Sequence, residues 1–207
     1  MCKNKFAVAI MLFIVKITGL PAAWLYLKPR IKRIGEKRLP KNCIIVSNHK
    51  SLMDFVLYLL VFPFRTVRFL MAEVLFNKGA LFAKFLGLIG GIRVDRDAKD
   101  FGFISDALEV LDKGGTVGIF PEGRLPVNGK PFPFTASTAY IALHTDAKIV
   151  PVFTDGNYGI NRRANVVIGK SLDIRELIKE GLDEDAQLEH LTNQLHDIVY
   201  GLEEHIK

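Results

Sequence analysis

Val46-Ser47-Asn48-His49-Lys50-Ser51-Leu52-Met53-Asp54 is the stretch on which the reading of this chain turns. An apolar run, Cys43-Ile44-Ile45-Val46, leads into it with the length and composition of a buried strand. An apolar segment from Leu52 to Phe62 follows and reads as a helix. His49 therefore stands where a strand hands over to a helix, at the rim of a sheet. Asp54 lies five residues on. On a regular helix that offset turns about 140°, at ~100° per residue, and the two side chains diverge. They meet only if His49 lies outside the helix and Asp54 in its first turn. The carboxylate then holds one ring nitrogen and leaves the other to accept a proton, which is how a base and its orienter are arranged. No serine or cysteine is placed as a nucleophile for this pair, so its natural partner is a substrate hydroxyl. A lone His-x4-Asp also arises by chance, with the histidine an ordinary loop residue, and the rest of the chain must decide.

The chain has 207 residues, a length that favours one domain with a small appendage. Hydrophobic residues make up 49% and charged residues 24%, enough for a large core and against disorder. Fifteen phenylalanines and a mean hydropathy of +0.21 are high for a freely soluble domain. The net charge is +6 and the pI about 9.3. Basic and greasy together point to an anionic lipid surface. Nucleic acid is not expected, because the basic residues are scattered apart from a local cluster between Lys28 and Lys41. Cys2 and Cys43 make neither a disulfide framework nor a metal site; Cys43 reads as a buried strand residue, and a reducing compartment fits. HExxH, CxxC and carboxylate clusters at metal spacing are missing, so no metal is expected. The lack of GxSxG argues against an ordinary serine hydrolase.

Phe6 to Leu27 is nearly continuous apolar sequence, broken by Lys16, Gly19 and Pro21. A spanning helix needs ~20 apolar residues. The segment can just span if Lys16 snorkels, or lie in the interface as two helices bent near Gly19-Leu20-Pro21. A signal peptide is the third option, disfavoured by the lack of a small-x-small cleavage site. Trp24 and Tyr26, followed by Lys28, Arg30, Lys32 and Arg33, resemble an aromatic belt with a basic collar for lipid headgroups. Residues 1–38 are therefore read as a membrane-associating helical segment and 39–207 as the folded domain. Within that domain strands are expected at Val67 to Ala72, Ile92 to Val94, Thr116 to Phe120, Lys148 to Phe153 and Ala164 to Ile168. Helices are expected at Leu75 to Leu88 with a break at Gly79, then at Asp100 to Leu111, Ala136 to Leu143, Asp173 to Ile178 and Asp185 to Ile206. Alternating strands and helices imply an α/β domain, its sheet largely parallel or mixed and flanked by helices.

Two more stretches follow strand ends, as His49 does: Asp95-Arg96-Asp97 after Val94, and Pro121-Glu122-Gly123-Arg124 after Phe120. Glycine admits close approach of a ligand to backbone, and arginine offers a planar fork that matches phosphate. If both loops lie beside His49, one base and two guanidiniums suit an anionic substrate whose hydroxyl is to be deprotonated. The alternative pairs Arg96 with its neighbouring aspartates and leaves Arg124 solvated.

Together these pieces resemble the glycerolipid acyltransferase family, which contains bacterial 1-acylglycerol-3-phosphate acyltransferases. The resemblance spans about Leu39 to Phe153 and rests on four ordered blocks. Asn48-His49-Lys50-Ser51-Leu52-Met53-Asp54 looks like the first, an Asn-His-x4-Asp, and Gly91-Ile92-Arg93-Val94-Asp95-Arg96 like the second. Phe120-Pro121-Glu122-Gly123-Arg124 looks like the third and Ile149-Val150-Pro151-Val152 like the fourth. Many members continue the third block with Thr-Arg, whereas here Arg124 follows Gly123 directly. Many also carry Phe-Lys-x-Gly where Phe132-Pro133-Phe134-Thr135 stands.

The resemblance implies acyl transfer from a thioester to the hydroxyl of 1-acylglycerol-3-phosphate, giving phosphatidate. His49 would act as general base and Asp54 as its orienter. Arg96 and Arg124 would bind phosphate, with Glu122 and Gly123 shaping the acceptor pocket and Pro151 structural. It implies no cofactor beyond a coenzyme A or acyl-carrier-protein thioester as co-substrate. The expected setting is the cytoplasmic face of the inner membrane, with Leu75 to Leu88 beside the acyl path. Another lysophospholipid, such as lysophosphatidylethanolamine, is the alternative acceptor. A non-catalytic lipid-binding protein on the same fold is the alternative class.

Overall fold

The computed structural model describes residues 19–95 and 101–206. The apolar residues 6–18 and Arg96 lie outside that set. Helix α1 (Leu20–Leu27) precedes β1 (Arg30–Arg33), and β2 (Cys43–Ser47) leads into α2 (Asp54–Val61). β3 (Val67–Ala72) is followed by the short α3 (Glu73–Phe76) and by α4 (Ala80–Leu88). Next come β4 (Ile92–Val94), α5 (Gly102–Asp112), β5 (Thr116–Ile119), α6 (Ser137–Leu143), β6 (Lys148–Thr154) and β7 (Asn165–Ile168). The long α7 (Glu184–Gly201) lies between two 3-10 turns, Ile174–Leu177 and Leu202–His205.

One seven-stranded sheet runs in the order β1-β7-β6-β2-β5-β3-β4. The five strands from β6 to β4 are parallel. β7 runs antiparallel to β6, and β1 runs parallel to β7. The chain is thus a single mixed α/β domain with helices on both faces of its sheet, as its alternating pattern implies.

A strand buried on both faces divides its side chains between two cores with period two. Ile44 and Val46 of β2 join the core made with Ala107 and Leu111 of α5, Ala139 of α6 and Leu195 of α7. Cys43 and Ile45 join the other, with Leu27 of α1, Leu57 and Tyr58 of α2 and Leu86 of α4. Each fully buried aliphatic side chain contributes roughly 1.5–3 kcal/mol. Burial also pushes the Cys43 thiol up. In β5 a Cβ on Gly118 would stand 2.4 Å from the Phe69 ring, so glycine here lets that ring lie against the strand. Phe69 in turn stacks on Phe120, 5.6 Å between centroids. Before β2, Arg65 donates to the carbonyls of Leu39, Pro40 and Lys41 at 3.0, 2.8 and 2.8 Å, fixing the turn into the strand.

The sequence reading differs from the fold in four places. Arg30–Arg33 is not part of a helical collar but an edge strand, all four residues exposed, so the sheet starts before residue 39. Its lysine and arginines are the side chains that keep an exposed edge from pairing with other chains, and no apolar alternation marks it. The helix expected from Leu52 starts at Asp54, because the Asp54 N–H donates to Ser51 O at 3.0 Å in a preceding turn. Asp173 to Ile178 forms only a 3-10 turn, and the last helix stops at Gly201.

Candidate active site

The site gathers at the carboxyl ends of β2, β5 and β6, where open parallel sheets bind their ligands. Asn48, fully buried, joins two of these ends. Its amide Nδ2 donates to Thr154 O and its Oδ1 accepts from the Thr154 N–H, both at 2.9 Å. His49 follows in the loop, outside the helix, and Asp54 is the first residue of α2. The Nδ1–H of His49 donates to Asp54 Oδ2 at 2.7 Å. Because the carboxylate can only accept, the proton belongs on Nδ1.

Asp54 is held from every side. Oδ2 also accepts from the backbone N–H groups of Lys50 and Ser51, at 2.7 and 2.9 Å. Oδ1 accepts from the Tyr158 hydroxyl. A carboxylate at a helix N-terminus is further favoured by the helix dipole. The His49 ring lies on Phe120, 4.3 Å between centroids and 15° between planes. Nε2 has no hydrogen-bond partner among the described residues, and the side chain is 15% exposed. An imidazole so fixed can take a proton at Nε2 from a group arriving in solvent-accessible space.

Glu122 is 2% exposed and sits behind this pair. Its Oε1 accepts from the His49 backbone N–H at 2.8 Å and from the Tyr200 hydroxyl of α7 at 2.9 Å. Oε2 accepts from the Phe132 N–H at 3.3 Å. Gly123 has φ +66°, a conformation glycine adopts without strain. Arg124 is exposed, its guanidinium carbon 4.8 Å from the Phe132 ring centre. Glu122, Gly123 and Arg124 all line a cleft of about 310 Å³ whose apolar wall is Leu70, Ala72, Phe101, Phe103, Ile119 and Phe120. His49 adjoins this cleft through Phe120 and Glu122. Leu75 to Leu88, expected beside the acyl path, contributes nothing to its lining. Arg96 lies outside the described residues. Among the described residues no cluster of histidine, cysteine, aspartate and glutamate is arranged to hold a metal.

Tyr158 and Tyr200 were not singled out in the sequence. Tyr158 follows β6 in Gly156-Asn157-Tyr158-Gly159, and its position past a strand end is the one signal it offers. Burial, then the charge of Asp54, push the phenols of Tyr58 and Tyr158 above the ordinary 10.0. Burial and then Glu122 do the same for Tyr200. A phenol neutral in the fold but free to ionise when unfolded gives stability that is full below the unfolded value of about 10 and lost as pH rises beyond it. In an alkaline titration the native protein should therefore show less phenolate absorbance than the unfolded chain at the same pH, the remainder appearing as it unfolds. Equal absorbance would mean that all three phenols are open to solvent.

Comparison with known proteins covers this same region. A family model described as Acyltransferase matches residues 30–155. Human 1-acyl-sn-glycerol-3-phosphate acyltransferase beta is 32% identical over 122 residues, 58% of this chain and 43% of that protein. The Borreliella burgdorferi 1-acyl-sn-glycerol-3-phosphate acyltransferase is 26% identical over 187 residues, 84% of this chain and 71% of that protein. The chain spans about half the length of the human and Limnanthes douglasii relatives it matches, 43% and 50%. The crystal structure of the 1-acyl-sn-glycerophosphate (LPA) acyltransferase PlsC from Thermotoga maritima superposes with a TM-score of 0.66 at 25% identity, covering 99% of this chain and 83% of that one.

Proposed function

Since this chain belongs to the Acyltransferase family, we propose that it moves a fatty acyl group from a thioester to the free hydroxyl of 1-acylglycerol-3-phosphate, giving phosphatidate. The observation that carries this reading is the buried Asp54 fixing Nδ1 of His49, while Nε2 has no partner among the described residues and the ring adjoins a cleft with an apolar wall. Nε2 takes the proton of the acceptor hydroxyl as its oxygen attacks the thioester carbonyl. The imidazolium then lies against the Asp54 carboxylate. When the tetrahedral adduct collapses, the carbon–sulfur bond breaks and the imidazolium returns its proton to the leaving thiolate. Coenzyme A or an acyl-carrier protein supplies the thioester.

Arg124, at the polar side of the cleft, binds the acceptor phosphate together with Arg96. Gly123 keeps the backbone there open to the ligand, and Glu122 holds the His49 loop. The names of the relatives support a glycerol phosphate acceptor. Helices α1, α2 and α4 cover the same face of the sheet, and Trp24, Leu25, Leu52, Phe64, Leu81 and Phe82, in or beside them, are large apolar side chains left exposed. Among the described residues no helix is long and apolar enough to cross a membrane. We place that face, with the N-terminal segment, against the cytoplasmic side of the inner membrane.

The test is acyl transfer by detergent-solubilised protein from both thioester donors. Lysophosphatidate, lysophosphatidylethanolamine and glycerol-3-phosphate compete as acceptors. Lysophosphatidate should be preferred, and Arg124→Ala should raise its KM by about tenfold or more, the scale of a hydrogen bond to a charged group. Preference for lysophosphatidylethanolamine would keep the chemistry and change the acceptor, with Arg124, which follows Gly123 directly, the first residue to examine. Failure with every acceptor and both donors would sink the enzymatic reading.

A further inference from the structure

A second basic site lies outside the cleft, where α1 meets the loop between β6 and β7. It is a groove of about 650 Å³ whose charged lining among the described residues is Lys28, Arg30, Arg162 and Arg163, with Trp24 beside them. The backbone builds it. Ala164 N–H donates to Leu27 O at 2.9 Å, Gly159 N–H to Tyr26 O at 3.3 Å and Arg30 N–H to Ala164 O at 2.8 Å. The Lys28 ammonium donates to Ile160 O. Arg30 and Arg163 come together because β1 and β7 run parallel with Arg30 opposite Asn165. None of the three arginine side chains has a hydrogen bond or ion pair among the described residues.

We propose that this groove binds the phosphodiester headgroup of an anionic phospholipid of the bilayer, as a docking site separate from the acceptor site. The proposal rests on the membrane setting given above. None of these four cations pairs with a carboxylate among the described residues, and the Asp155 carboxylate of the same loop is taken up by the Asn157 and Asn165 N–H groups and the Asn165 amide. An anion entering the groove would relieve the repulsion of the cations, and arginine forks fit phosphate oxygens. A free phosphate would satisfy the charges but leave the rim in water. That rim is apolar: Trp24 is 54%, Leu25 60% and Ile160 72% exposed. A headgroup brings acyl chains to just those side chains, and tryptophan is suited to the level where headgroup meets chain.

The experiment is sedimentation of the full chain with vesicles of phosphatidylcholine alone, or mixed with phosphatidylglycerol. Arg162→Gln with Arg163→Gln should lower affinity for the mixed vesicles about thirtyfold, the scale for two basic residues at an anionic surface. Binding to phosphatidylcholine and turnover in detergent micelles should not change. Lys41→Gln with Lys148→Gln removes the same charge at the opposite rim of the sheet and should cost far less. Equal losses in the two double variants would reduce the effect to net charge and overturn the groove. So would unchanged binding of the arginine variant. Loss of turnover with a carrier-protein thioester, without loss of vesicle binding, would give the groove to an acidic protein instead. Inactivity of the unmutated protein would count against the proposed reaction and leave the vesicle result standing.

Discussion

His49→Ala should fold normally and lose acyl transfer by at least about 100-fold, the usual scale for a general base. The ring is partly exposed and rests on Phe120, so its removal opens no sealed cavity. Asp54 keeps the Lys50 and Ser51 N–H groups and the Tyr158 hydroxyl as donors. Loss of one hydrogen bond with these retained should cost about 0.5–1.5 kcal/mol. Thermal unfolding and transfer rate measured on one preparation separate the two effects. A variant with unchanged melting and unchanged transfer would remove His49 from the mechanism and leave the pair a structural one.

Asp54→Asn should also fold, yet lose about 100- to 10 000-fold in kcat. The amide oxygen can take the place of Oδ2 and accept the same three N–H donors. The amide nitrogen then faces Tyr158, whose hydroxyl can turn to accept. What the variant lacks is the negative charge against the imidazolium formed as the hydroxyl is deprotonated. Asp54→Ala is the contrasting control. It strands three N–H donors around a side chain with 0% exposure, each unsatisfied one costing roughly 1–3 kcal/mol, so it should unfold far more easily. If the asparagine variant keeps full kcat with an unchanged fold, the carboxylate orients nothing that chemistry needs.

The strands were legible where burial on both sides leaves a plain apolar run, as at Cys43 to Val46 and Thr116 to Ile119. The meeting of His49 with Asp54 was legible too, because five residues can be closed in only one way at a strand-to-helix turn. β1 was not, since its place in the sheet is made by backbone pairing with β7, more than 130 residues later in the chain, and its side chains face solvent. Nor were the partners of the two carboxylates. Tyr158 is separated by 104 residues from Asp54, and Tyr200 by 78 from Glu122. Such contacts follow from how whole elements pack, and no local pattern carries them. Glu122 was picked out from its block, but its grip on the His49 backbone needed the positions of β2 and β5 side by side.

The reversal of β1 has a consequence for how the molecule stands on a surface. Because β1 runs against β2, its first residue lies at the same rim as His49, and α1 arrives there. A first strand running the other way would have delivered α1 to the rim at which Cys43 and Thr116 begin their strands, with the His49 edge pointing away. One strand direction thus works as a compass: anything that tethers the chain through α1 aims the edge that carries His49 at its support.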